Sequence, residues 1–127
     1  MFDISNEGNI TLNRGDSFQT PIFINKGTEI NPNRYELTEY DTLYFAVMEP
    51  NQRFEDALIK KVYDKDSEKS EKGDILIKFD PIDTEYVLPG EYRYTVKLRT
   101  VTPTEIPELD IEEVQTVVPE KIFFIAK

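Results

Sequence analysis

A chain of 127 residues carries 15 Lys+Arg against 25 Asp+Glu, a formal charge of −10, and holds no His, Cys or Trp. The missing cysteines remove disulfides, thiolate metal sites and a thiol nucleophile, and the missing histidines remove the commonest general base and metal ligand. The charge speaks against a nucleic-acid partner, which needs clustered Lys and Arg, and the length suits one domain over residues 1–127.

The start, Met1-Phe2-Asp3-Ile4-Ser5, has neither the basic nor the apolar region of a secretory signal. No apolar run approaches the roughly 18–20 residues that cross a bilayer, so a cytoplasmic origin and no membrane partner are expected. Eight Phe and seven Tyr point to an ordered core, since disordered chains lack aromatic residues.

Alternation of apolar and polar residues dominates the chain and predicts strands. The first is 9–13, with Ile10 and Leu12 inward, followed by the turn Arg14-Gly15-Asp16. Next come 18–24, with Phe18, Ile22 and Ile24 inward, then the turn signals Asn25-Lys26-Gly27 and Asn31-Pro32-Asn33. Strand 43–49 carries Leu43, Phe45 and Val47, and Pro50-Asn51 closes it. Segment 57–63 is read with Leu58 and Val62 inward, and the polar run 64–73 as a mobile hairpin loop. Strand 74–79 offers Ile75, Ile77 and Phe79, and residues 83–87 give at most one helical turn.

Pro89-Gly90 then turns the chain into the clearest strand, 91–99. There Tyr92, Tyr94, Val96 and Leu98 share one face, and Glu91, Arg93, Thr95, Lys97 and Arg99 the other. Residues 100–113, with Pro103, Pro107 and acids at 105, 108, 110, 112 and 113, read as a long connection, either a surface arm or an edge cover. Strands 114–118 and 122–126 end the chain, the latter with Ile122 and Phe124 inward. Seven to eight short strands with regular turns predict an all-β, antiparallel Ig-like sandwich. Each core side chain, once buried, contributes about 1.5–3 kcal/mol before entropy, so neither metal nor disulfide is needed.

Candidate sites are few. Arg14-Gly15-Asp16 is an adhesion tripeptide when displayed, but Gly-Asp is also ordinary turn chemistry. Asp64, Asp66 and Glu68 alternate as calcium ligands do, yet the turn glycine is missing and lysines intervene, which favours a solvated loop. The acids of 105–113 are read as a charged link that protects an edge. Tyr35, Tyr40, Tyr44, Tyr92 and Tyr94 offer a platform for sugar rings, the basis of an alternative carbohydrate- or cell-surface-binding function; core or interface packing competes with it. Paired carboxylates alone give no support for an enzyme, and no cofactor is expected.

One pattern stands above the rest: several strands are apolar on both faces. Leu43, Phe45 and Val47 alternate with Tyr44, Ala46 and Met48; Phe23 lies between Ile22 and Ile24; Phe123 and Ile125 flank Phe124. A two-layer sandwich needs one apolar face per strand, so the second faces are covered either by a partner or by the chain's own loops. On the first of these readings Phe23, Tyr44, Met48, Phe123 and Ile125 are the candidate interface residues.

The order of motifs adds a resemblance. Ile10-Thr11-Leu12 leads through Arg14-Gly15-Asp16 to the strand ending in Ile22-Phe23-Ile24. Leu37-Thr38-Glu39-Tyr40 enters Asp41-Thr42-Leu43-Tyr44-Phe45-Ala46-Val47, and Lys78-Phe79-Asp80 is followed by Asp83-Thr84-Glu85. Leu88-Pro89-Gly90-Glu91-Tyr92-Arg93-Tyr94 then opens a long strand. From about residue 10 to 125 this resembles the Ig-like sandwich at the start of phage baseplate upper proteins and of related small phage virion proteins. The resemblance implies a non-enzymatic structural protein in the baseplate or tail, or a capsid accessory, located in the virion. It implies assembly with other virion proteins, as a homo-oligomer or part of a larger assembly, through strand edges and apolar faces.

Overall fold

The computed structural model describes residues 2–4, 8–26 and 30–127. Eight strands lie among them: β1 Phe2–Ile4, β2 Ile10–Asn13, β3 Phe18–Ile22, β4 Asp41–Met48, β5 Ile59–Tyr63, β6 Ile75–Phe79, β7 Gly90–Thr102 and β8 Ile111–Ala126. A one-turn helix, α1 Pro81–Glu85, links β6 to β7. The expected turn at Asn25-Lys26-Gly27 falls partly outside the described residues, at Gly27.

The strands form a six-stranded sheet, ordered β1-β2-β8-β7-β4-β5, and a two-stranded sheet, β3-β6. Alternation has placed one apolar stripe on each sheet, and the two stripes bury each other. From the large sheet come Leu43, Phe45, Val47, Val96 and Phe123, all 0% exposed, and from the small one Ile77 and Phe79. Phe79 is the centre of an aromatic cluster, its ring 4.8 Å from Phe18, 5.6 Å from Phe45 and 5.6 Å from Phe123. This is an all-β sandwich: the six-stranded sheet makes one layer and β3 with β6 the other. Its tyrosine corner is present at the start of β7, where Tyr92 Oη donates to the Leu88 carbonyl at 2.5 Å.

The sandwich is not wholly antiparallel. β2 pairs parallel with β8, Ile10 beside Phe123 and Leu12 beside Ile125. A parallel pair needs a long crossover, and nearly the whole chain supplies it here.

Gly15, at φ +83°, makes the β2–β3 turn, and its N–H donates to Thr84 Oγ1 at 2.9 Å. That bond ties the turn to α1, and explains why Thr84, a polar residue, is fully buried. On the other side of α1, Lys61 Nζ meets Asp83 Oδ2 at 2.8 Å, joining α1 to β5.

Three sequence expectations shift. In 122–126 the inward residues are Phe123 and Ile125, while Phe124 is 42% exposed and Ile122 half-buried. In β5 the inward residues are Ile59 and Tyr63; Leu58 and Val62 are 44% and 58% exposed. The connection 100–113 is strand at both ends, since β7 and β8 stay paired out to Thr102 and Ile111, which leaves 103–110 as the link between them. Segment 64–73 lies between β5 and β6 as expected, with Ser70 N–H bonded to the Asp74 carbonyl at 2.8 Å and Gly73 N–H to the Ser70 carbonyl at 2.9 Å.

Candidate functional site

The β7–β8 hairpin runs past the sandwich as an arm. Its root is fixed by Asp41, which is 3% exposed. Asp41 Oδ1 accepts from Thr100 Oγ1 at 2.5 Å, while Oδ2 accepts from Tyr35 Oη at 2.6 Å and from Thr38 N–H at 2.8 Å. Burial pushes the Asp41 carboxyl upward, but the donors of Thr100, Thr38 and Tyr35 outweigh it and hold the group below its ordinary range. The same bond, with burial and the nearby charge, pushes the Tyr35 phenol up to about 12.

Beyond this root every residue from 102 to 116 is exposed. The tip is closed by Thr104, whose N–H donates to Asp110 Oδ1 at 2.8 Å and whose hydroxyl donates to the Ile106 carbonyl at 2.6 Å. Large apolar side chains stand in water along it: Ile106 at 53%, Leu109 at 63%, Ile111 at 55% and Val114 at 57%. From 100 to 120 there is no Lys or Arg, and six acids.

At the base of the arm, on the outer face of the large sheet, lies a groove of about 290 Å³ between Tyr44, Phe54, Glu55, Lys60, Lys97, Arg99, Glu112 and Val114. Register places these side chains together: Tyr44 pairs with Lys97 and Val62, and Arg99 with Val114. Phe54, in the 3-10 turn Phe54–Asp56 between β4 and β5, meets Tyr44 edge-on at 6.0 Å. Lys60 and Lys97 sit over the Phe54 ring at 4.6 and 4.8 Å. Arg99 Nε binds Glu112 Oε1 at 2.9 Å, which holds the Glu112 carboxyl low and raises Arg99. Neither Lys60 nor Lys97 has a carboxylate partner among the described residues. A groove with two ammoniums around an aromatic floor suits a carboxylate carried on an apolar surface.

The structure separates the five residues expected at an interface. Phe123 and Ile125 are 0% exposed and belong to the core, because β8 aligns them with Tyr92 and Gly90 on one side and Ile10 and Leu12 on the other. Met48 is 2% exposed and Ala46 0%, so the second face of β4 is covered there as well, and the 3-10 turn bearing Phe54 lies against this strand. These three are corrected from surface to interior. Tyr44 lines the groove, and Phe23 stays 43% exposed beneath the Arg34 guanidinium, 5.4 Å from its ring centre.

The tyrosine platform is dispersed, since Tyr92 and Tyr94 are buried and Tyr35 is held by Asp41. Asp64 spends Oδ1 on Asp66 N–H at 2.9 Å, and Glu68 pairs with Lys78. Among the described residues no three His, Cys, Asp or Glu side chains gather as a metal site, and no helix is long and apolar enough to cross a membrane. Sequence reading missed Phe54, Lys60 and Val114 as groove residues, and Ile106 and Leu109 as exposed apolar groups. The signal available for the last two was their place between prolines and acids, where no core alternation explains them.

No protein-family model matches the chain, and neither the curated proteins nor the solved structures give a match to it.

Proposed function

We propose that this chain is a non-enzymatic structural protein of a tailed phage or prophage particle, a baseplate or tail component or a capsid accessory, that assembles with neighbouring virion proteins. One observation carries the reading: a hairpin arm that leaves the sandwich with Ile106, Leu109, Ile111 and Val114 in water. Apolar side chains on a projecting element gain free energy only when another surface covers them, at about 25 cal/mol per Å². The β5 edge, with Val62 58% exposed, offers a second place for a neighbour, and Lys60 beside it limits unselective pairing. The charge of −10 opposes unselective clumping of the chain before it assembles.

The test is fractionation. Particles from a culture that produces the chain are separated on a density gradient, and the chain is quantified by mass spectrometry in each fraction. The expected outcome is co-migration with tailed particles in a fixed ratio to their other proteins. A chain confined to the soluble fractions of a particle-yielding culture overturns the proposal.

A further inference from the structure

We infer that the tip of the arm, residues 103–110, docks in the Phe54–Lys60–Lys97 groove of a second copy of this chain. The inference deepens the assembly reading and rests on it. Two surfaces of the same molecule are complementary. The groove presents two ammoniums around an aromatic ring, neither with a carboxylate partner among the described residues, in a chain whose net charge is −10. The tip presents Glu105 and Glu108 beside exposed Ile106 and Leu109, with no basic residue among them. Carboxylates meeting Lys60 and Lys97 while the aliphatic side chains cover Phe54 and Tyr44 satisfies both halves of the chemistry.

The contact has to be made between copies. Arg99 and Val114 flank the groove, and the strands continue paired from there to Thr102 and Ile111, three residues farther on, about 10 Å at strand rise. The tip is therefore carried away from its own groove. Because every copy carries both a tip and a groove, reciprocal exchange closes a two-fold dimer, and one-way docking repeated from copy to copy gives a ring or a filament.

Charge exchange tests this with the full-length chain. The tip variant is Glu105→Lys/Glu108→Lys, which leaves the Thr104–Asp110 bonds that close the tip. The groove variant is Lys60→Glu/Lys97→Glu, with Lys60→Gln/Lys97→Gln in its place if circular dichroism shows that reversal costs the fold. Mass is followed by analytical ultracentrifugation across protein concentration and salt.

The wild type is expected to associate, less strongly as salt rises. Each variant alone is expected to associate at least about tenfold more weakly. Mixing the tip variant with the reversed groove variant restores association, because each then offers the other's complement. With the neutral glutamine variant, mixing restores only the one unaltered contact, between its own tip and the groove of the tip variant, so association stops at pairs. A wild type that stays monomeric, folded variants that associate as it does, or a reversed pair that fails to recover overturns the inference. A chain that enters particles yet shows no exchange effect defeats self-docking alone, whereas one that shows the exchange but is missing from particles defeats the virion reading.

Discussion

Thr100 Oγ1 donates to Asp41 Oδ1 at 2.5 Å, and this bond joins the root of the projecting hairpin to the first residue of β4. Asp41 is nearly buried, so its carboxylate is stable only because Tyr35, Thr38 and Thr100 all donate to it. Asp41→Ala leaves these donors facing an apolar methyl. The expected cost at neutral pH is about 2–3 kcal/mol, read as a fall in the denaturant midpoint.

The pH dependence of the same group has a definite sign. Its folded-state pKa lies below the ordinary value, so its stabilisation is fully present above that ordinary value and is lost as pH falls through the folded one. Tyr35 behaves oppositely: its phenol is raised to about 12, so its share is present below the ordinary value of 10.0 and disappears as pH rises toward 12. Denaturation followed by circular dichroism is expected to show an acid slope that flattens in Asp41→Asn and an alkaline slope that flattens in Tyr35→Phe. Unchanged slopes in both variants would remove Asp41 from its role.

Phe123 and Phe124 give a sharp contrast between neighbours. Phe123 is 0% exposed and stacks on Phe79 at 5.6 Å, whereas Phe124 is 42% exposed. Phe123→Ala is expected to cost about 3–5 kcal/mol through the cavity it leaves, and Phe124→Ala less than about 1 kcal/mol. Equal costs in chemical denaturation would mean that the end of β8 sits one residue out of register.

That contrast also marks how far the sequence could be read. Strands with one apolar face were legible: Tyr92, Tyr94, Val96 and Leu98 alternate with polar neighbours, and all four are buried as expected. Ile122-Phe123-Phe124-Ile125 is apolar throughout, so alternation cannot choose its inward face. Pairing to Tyr92 and Ile10 chooses it, and that is information from distant parts of the chain.

The register of β8 shifts between the partners of Tyr94, Val96 and Lys97. Pro119, which has no N–H to give a ladder, lies in this irregular stretch. The shift breaks the phase between 114–118 and 122–126, so they form one strand where the pattern suggested two. The groove was hidden for a similar reason. Lys60 and Lys97 read as ordinary solvated charges until Phe54, from a connection with no periodicity, is folded between them.

The tyrosine corner supplies a smaller effect. Tyr92 is 7% exposed, and its hydroxyl reaches the Leu88 carbonyl just before the Pro89-Gly90 turn. Removing that hydroxyl in Tyr92→Phe keeps the ring in the core and loses one hydrogen bond, so about 1 kcal/mol is expected. Thermal melts of the two proteins check it: a variant as stable as the wild type would show that the β6–β7 corner is set without this bond.

The arm makes little use of the core it grows from. Residues 102–116 are exposed throughout, and the last bonds to the body are those of Thr100 to Asp41 and of Val101 N–H to the Tyr40 carbonyl at 3.0 Å. Replacing residues 102–111 with Asn-Gly, a two-residue turn matched to the twist of a hairpin, removes the tip and keeps Thr100. Because almost no buried apolar area is lost, the change in stability is expected to stay within about 1 kcal/mol of the wild type. Incorporation into particles, measured by the gradient fractionation above, is expected to fall at least about tenfold, since Ile106, Leu109 and Ile111 are gone and only Val114 of the arm's exposed apolar side chains remains. A shortened chain that folds and enters particles at the wild-type ratio would show that the arm is dispensable for assembly, and would move the search for the docking surface to the β5 edge.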